Sequence, residues 1–460
     1  MTPPHAISIE TIETTGLGDR SYLAHDGRVA VVIDPQRDID RVLDLIEQRG
    51  VHLTHVFETH IHNDYITGGL ELARATGATY CVAHNDDVRF QRLAVRDGDV
   101  VSTGAMRLRV LHTPGHTHHH LSYVLEDSDG TVLGVFTGGS LLYGSTGRTD
   151  LVGPQFTVEL THAQYRSVRR LADLLPGETP IFPTHGFGSF CSATPTEGDA
   201  STIGDQRRVN PALTRDEQAF VDELIEGLDA YPAYYTHMAP LNRVGPDPVD
   251  LSMPDPVDPD ELRRRIDAGE WVVDLRGRRA FAAGHLSGSL GFELSDSFVT
   301  YLGWLYRWGA PVTLIGESEQ QVLDARRELV RIGVDSIAGA AVGDVRTMAE
   351  PDLIRAYGVS DFKGLAARLT EHRVHVLDTR LAGENVTSSV MGALHIPLHE
   401  LLQRRHEVPA GEVWIHCASG YRASVAASIL DDGSRDLVLV DDDFDNAETA
   451  GLLDHPVSAS

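Results

Sequence analysis

Three histidine-bearing turns constrain this chain more than any other feature: HIHND at 60–64, HTPGHT at 112–117 and PTHG at 183–186. Each closes a β-like run: HLTHVFETH at 52–60, the stretch opening MRLRVLH at 106, and TPIFP. For the turns to act together, their strands must end along one sheet edge, where side chains converge. The surrounding text alternates further strands (VAVVID at 29–34, ATYCVA at 78–83, HLSYVLE at 120–126, TVLGVFTGG at 131–139) with helices. The helices are IDRVLDLIEQRG at 39–50, closed by Gly50, and LELARATG at 70–77. The first half therefore reads as α/β.

An H-x-H-x-D turn puts two imidazoles and a carboxylate, His60, His62 and Asp64, into one tight loop, a ligand set for zinc or non-haem iron. Pro114 and Gly115 shape a turn that presents His116, and His185 follows its strand as a further imidazole. Of the neighbouring run His118, His119 and His120, the last is placed behind the ligands and the other two at the surface. Cys191, in the Gly-rich THGFGSFCS, is either a sulfur-accepting thiol or a small buried residue.

A chain of 460 residues is long for one core and predicts two or three domains. A formal net charge of −28 excludes nucleic acid as the natural partner. Three widely spaced cysteines argue against a disulfide framework and for a reducing compartment. No apolar run reaches membrane-spanning length, and MTPPHAISIE lacks the pattern of a signal peptide, so a cytoplasmic location is expected. The Pro- and Asp-rich stretch 233–261 reads as a linker, and two similar α/β blocks follow it. VVDLRG in one and HVLDTR in the other suggest a tandem duplication.

The sharpest motif of the second half is HCASGYRAS at 416–424. A strand ends at Cys417, a loop turns through Gly420 to Arg422, and a helix begins. Inward backbone N–H groups, a helix N-terminus and Arg422 all favour a thiolate and would stabilise an anionic persulfide.

THIHND, HTPGHT, FTGGSLL, GRTD and PTHG together resemble the metallo-β-lactamase fold, in its persulfide dioxygenase-like branch, over residues 1 to about 195. The resemblance implies a four-layer αββα sandwich. It also implies one Fe(II), held by two His and an Asp, that adds O2 to the outer sulfur of a thiol persulfide and gives sulfite. His60 and His116 match the family's histidines. Tyr65 stands where a further His would follow the Asp, and Gly139 where FTGD would supply a carboxylate. The expectation is one metal ion, Fe(II) ahead of Zn(II), on His60, His62 and His116, with Asp64 or His185 completing the set. Arg148, in GRTD, would bind the carboxylate of a thiol substrate; the alternative is an ion pair with Asp150.

The C-x4-R spacing of Cys417 and Arg422 resembles rhodanese sulfurtransferases, as do Asp378, Arg380 and HIPL at 395–398. The earlier block carries LIGESEQQ at the matching loop, with no thiol, and is expected to be catalytically silent. The expected architecture is α/β multidomain: an αββα metallo-β-lactamase sandwich over 1–245, a silent rhodanese-like domain over 256–345 and a rhodanese domain over 350–455. The implied function is a persulfide dioxygenase and sulfurtransferase of sulfide detoxification, acting on a low-molecular-weight thiol persulfide with thiosulfate or sulfite as sulfur partner. The alternatives are a sulfurtransferase with a degenerate first half and a glyoxalase II-like thioester hydrolase. A homo-oligomer is left open.

Overall fold

Side chains of the strand Val29–Ile33 alternate between two cores: Val31 and Ile33 face one, Ala30 and Val32 the other. This period of two makes the strand a wall between layers. The computed structural model describes residues 6–194 and 198–454. They form two units, one running to Asp250 and including Val330–Gly333, the other made of Leu251–Leu329 and the chain from Val334 onward. The first five residues, the start of the PTEGDAST loop (195–197) and residues 455–460 lie outside the described residues.

In the first unit, one sheet holds β1 (Ser8–Thr14), β2 (Asp19–His25), β3 (Val29–Ile33), β4 (His52–Phe57), β5 (Thr79–Ala83) and β6 (Leu93–Val95), side by side in that order. A second sheet holds β7 (Val100–Thr103), β8 (Met106–His112), β9 (Leu121–Glu126), β10 (Val132–Gly138) and β11 (Ile181–Pro183), likewise in order. Tyr22, Phe57, Met106, Tyr123 and Phe136, drawn from both sheets, fill the core between them. Helices α1 (Asp40–Arg49) and α2 (Gly69–Thr76) cover the outer face of the first sheet. On the outer face of the second lie α3 (Thr157–Leu174), α4 (Ile203–Val209), α5 (Pro211–Thr214) and α6 (Glu217–Glu226). The result is a four-layer αββα sandwich. Gly50 closes α1 in a left-handed conformation, its N–H donating to the carbonyls of Glu47 and Ile46, at the place the sequence marks as a stop.

One expectation needs correcting. The stretch 233–261, read as a linker, begins with a helix, α7 (Tyr235–Val244). Its buried residues Tyr235, Met238, Ala239 and Asn242 fall at helical spacing on one face. Pro240 inside the helix and the polar Asn242 on the buried face hid that pattern.

The second unit contains β12 (Trp271–Asp274), β13 (His285–Leu286), β14 (Leu290–Gly291), β15 (Val312–Gly316), β16 (Ile337–Val342), β17 (Ile354–Arg355), β18 (Gly358–Ser360), β19 (His375–Asp378), β20 (Leu394–His395), β21 (Gly411–His416) and β22 (Arg435–Val440). Two parallel sheets have the orders β14-β12-β15-β16 and β20-β19-β21-β22, the second extended by β18 beyond β22. The two sheets share one contact in atomic detail. Arg276 grips Asp274 and donates to the carbonyl of Gly284, as Arg380 grips Asp378 and donates to that of Ser388. Both Nη2–Oδ2 distances are 2.7 Å. Among the described residues no helix is long and apolar enough to cross a membrane. All three cysteines are free and buried.

Candidate functional site

The turns after β4, β8 and β11 meet at one edge of the sandwich, and Asp34 ties the edge together. It directly follows β3 with φ +51°, an uncommon conformation for a residue with a side chain. Its carboxylate accepts from the Thr59 N–H (2.6 Å) and hydroxyl (2.7 Å) and from the Thr184 hydroxyl (2.5 Å). Thr59 and Thr184 immediately precede His60 and His185, so one buried carboxylate sets the position of two imidazoles. Burial pushes the Asp34 carboxyl pKa up, but His62, Thr184 and Thr59 outweigh it and hold it below its ordinary value.

Each imidazole is anchored through one nitrogen and leaves the other for the cluster. His60 Nδ1 donates to Thr59 Oγ1 at 2.9 Å, since that hydroxyl's own proton goes to Asp34. His116 Nδ1 donates to the carbonyl of Arg148 at 2.8 Å, and His185 Nδ1 to Asp19 at 2.9 Å. Outer partners of this kind set the tautomer and orientation of metal-ligating histidines. The inward Nε2 atoms of His60 and His185 face each other at 3.3 Å, and that of His116 is buried without a hydrogen-bond partner. Each of the three residues offers a nitrogen within 4.8 Å of the others.

His62 is turned the other way. Its Nε2 lies 3.1 Å from Glu58, 3.3 Å from Asp34 and 2.9 Å from the Tyr65 hydroxyl, while its Nδ1 is buried with no partner. Neither carboxylate oxygen of Asp64 accepts a hydrogen bond, although His185 Nδ1 lies 3.2 Å away. His62, Asp64 and His185 form a second group with ligand atoms within 4.8 Å.

Four buried carboxylates (Asp19, Asp34, Glu58 and Asp64) therefore surround four buried imidazoles. Burial, reinforced by neighbouring imidazoles, holds His116 down at about 3 and His60 well below its ordinary value, leaving both neutral and able to ligate. Burial alone would lower His62 as well, but Asp34 and Glu58 raise it to about 9. In the same way Asp64 and Asp19 override burial and raise His185, so without an ion the cluster holds protons where a cation would balance the carboxylates. Imidazole nitrogens converging on one another and a buried carboxylate that accepts no hydrogen bond are the environment a metal ion satisfies. These residues fit one.

A family model for the metallo-beta-lactamase superfamily matches residues 15–185. Over 207 residues the chain is 32% identical to the mitochondrial persulfide dioxygenase ETHE1 of Homo sapiens, spanning 45% of this chain and 72% of that protein. The chain belongs to the metallo-beta-lactamase superfamily. It is also 35% identical over 187 residues to a hydroxyacylglutathione hydrolase of Cereibacter sphaeroides, covering 39% of this chain and 68% of that one. A solved metallo-beta-lactamase of Staphylococcus aureus superposes with a TM-score of 0.65 at 28% identity, over 74% of this chain and 99% of that one. That is more of this chain than its first unit contains.

Within this superfamily site, both departures read from the sequence have a physical place. A Cβ on Gly139 would run into the His116 ring, and one on Gly147 would reach the carbonyl of Gly139 and the same ring. The Gly139 N–H donates to His120 Nε2 at 3.0 Å, and His120 Nδ1 is bound by Thr113. Both His120 nitrogens are thus spent on holding the loop. Tyr65 stacks on His62 with ring centres 4.2 Å apart and supports it through its hydroxyl. The Arg148 guanidinium is held by both oxygens of Asp150 at 2.7 Å and by the carbonyl of Asp229, so what Arg148 presents to the cluster is its backbone oxygen.

Asp19, Asp34, Glu58 and Asn242 were not singled out in the sequence. Asn242 donates to the carbonyls of His62 and Tyr65 (3.0 and 2.9 Å) and accepts from the Thr67 N–H at 3.0 Å, pinning the H-x-H-x-D loop. Only Asp34 left a trace, as the polar end of VAVVID.

In the second unit, Cys417 directly follows β21 and is buried; its sulfur accepts from the Gly420 N–H at 3.2 Å. Gly420 has φ +90°, and a Cβ there would meet Asp441. The helix Tyr421–Leu430 starts at once, with no side chain capping its first turn. Arg422 is paired bidentately with Glu384 at 2.5 and 2.7 Å, and the sulfur's hydrogen bond comes from the Gly420 N–H.

Proposed function

We propose that the first unit oxidises a low-molecular-weight thiol persulfide to sulfite and that the second transfers sulfane sulfur through Cys417. The observation that carries the first half is the convergence of His60, His116 and His185, each anchored from outside through Nδ1 and each turning Nε2 inward. These three would hold one ion, with Asp64 and His62 Nδ1 beside it. The proposed set takes His185 in place of the His62 of the expected trio, because His185 directs Nε2 at His60 while His62 Nε2 lies against Glu58. Iron(II), when bound, supplies the electron transfer between O2 and sulfur. The net reaction is RSSH + O2 + H2O giving RSH and sulfurous acid; the outer sulfur is oxidised, O2 is reduced, and the S–S bond breaks. The chain's own part is to keep His60 and His116 unprotonated, to orient His185 through Asp19 and to hold the turns through Asp34.

Similarity to hydrolases is as high as to persulfide dioxygenases, so the site must choose between them. A dinuclear hydrolase needs a donor at 65, where Tyr65 is instead bound to His62; the carboxylate excluded at 139 is missing for either chemistry. That favours one ion and the dioxygenase. For the second unit, the Cys417 thiolate would attack the outer sulfur of thiosulfate, form an S–S bond and release sulfite; an acceptor thiolate, sulfite or cyanide would then take the sulfur and regenerate the thiolate. The N–H groups of the loop would stabilise the anionic persulfide between the two steps.

The test is O2 uptake by iron-loaded protein given glutathione persulfide, with sulfite measured as product. Uptake equal to the protein-free rate would refute the dioxygenase reading. Cys417→Ser is expected to abolish thiosulfate:cyanide transfer while leaving O2 uptake intact.

A further inference from the structure

A cavity of about 240 Å³ adjoins the metal cluster, and its walls are built by the neighbours of the candidate ligands. Ile61 lies between His60 and His62, Asn63 precedes Asp64, and Thr117 follows His116; all three line it. The opposite wall is α7, which contributes Ala239, Pro240 and Arg243.

The charges in this wall are unequal. Asp86, its one carboxylate, already lies 3.0 Å from His119 Nδ1. The Arg243 guanidinium is exposed and pairs with no acceptor among the described residues; only its backbone carbonyl is used, by the Arg89 N–H. A chain with a net charge of −28 thus leaves one cation unspent beside its candidate centre.

We propose that Arg243 is the recognition residue for a carboxylate on the thiol substrate, and that the class accepted is a small carboxylate-bearing thiol persulfide. This rests on the persulfide reading above. The carboxylate would form charge-assisted bonds to the fork of Arg243, and the aliphatic part would lie against Ile61, Ala239 and Pro240. Size agrees: pockets that enclose drug-sized ligands run from about 300 Å³ upward, so this cavity admits an amino-acid-sized fragment. The role expected for Arg148 passes to Arg243, because the Arg148 fork is filled by Asp150.

Two probes of equal shape test this: 3-mercaptopropionate and its primary amide, titrated calorimetrically into wild-type protein and Arg243→Gln. An ionic hydrogen bond contributes enough for the wild type to prefer the acid by about tenfold or more. Arg243→Gln should erase that preference, and Arg243→Lys should restore part of it. Equal binding of both probes by the wild type, or a preference that survives in Arg243→Gln, overturns the proposal. O2 uptake with the two corresponding persulfides is measured alongside. If neither supports uptake, the dioxygenase reading falls while the binding ratio still decides the role of Arg243.

Discussion

The ring of His116 fills the space that a side chain on residue 139 would need. Gly139 is therefore a packing partner of a candidate ligand, and the carboxylate missing from FTGG is excluded by shape. The candidate centre is left to imidazoles, with the Asp64 carboxylate, which accepts no hydrogen bond, beside them.

Gly139→Asp is accordingly expected to remove metal instead of adding a ligand. Displacing His116 from its bond to Arg148 should lower stability by about 1–3 kcal/mol, the usual range for overpacking. Elemental analysis and thermal unfolding check this; a variant that binds iron more tightly than the wild type would contradict the packing argument.

Asp19 orients His185 through a 2.9 Å bond to Nδ1. Replacing it with Asn keeps the volume but loses the charge. Metal affinity, measured by competition with a chelator, should fall roughly 10–100-fold. Unchanged affinity would mean that His185 is not a ligand.

Asn242 makes three buried hydrogen bonds to the loop that carries His62. Asn242→Leu strands those backbone groups and should cost roughly 2–4 kcal/mol. Urea unfolding of the full chain gives the number, and a loss below half a kcal/mol would show that α7 is not needed to hold the loop.

His416, beside Cys417, has no hydrogen bond on either nitrogen and packs between Phe362 and Phe444. Burial lowers its pKa from 6.5 to about 4, with Asp378 opposing and Arg380 reinforcing. Because the folded value lies below the unfolded one, the unfolded chain takes up more protons as pH drops. Stability is thus fully present above about 6.5 and is lost on acidification toward 4, by on the order of 3 kcal/mol. His416→Phe should flatten that slope, which urea midpoints at pH 7 and 5 would reveal; an identical slope would assign the acid sensitivity elsewhere.

Much of this molecule is legible in one dimension because its signals are local. Alternation in VAVVID, the Gly50 stop of α1 and the H-x-H-x-D spacing each depend on residues within a few positions of one another. So does the strand–loop–helix around Cys417. The paired DLR and DTR segments suggested a repeat, and their Asp–Arg clamps share one geometry. The sequence by itself determined the α/β class, the histidine turns and the strand–loop–helix that carries the thiol.

Only the tertiary structure decided how those histidines divide their labour. Whether an imidazole turns Nδ1 or Nε2 inward depends on its outer partner, and the partners lie far away in the chain: Asp19 for His185, Arg148 for His116. A helix masked by Pro240 supplies Asn242 and Arg243 from a stretch that reads as a linker. Hydrogen-bond direction and steric exclusion are set by approach in space, and no spacing along the chain encodes them.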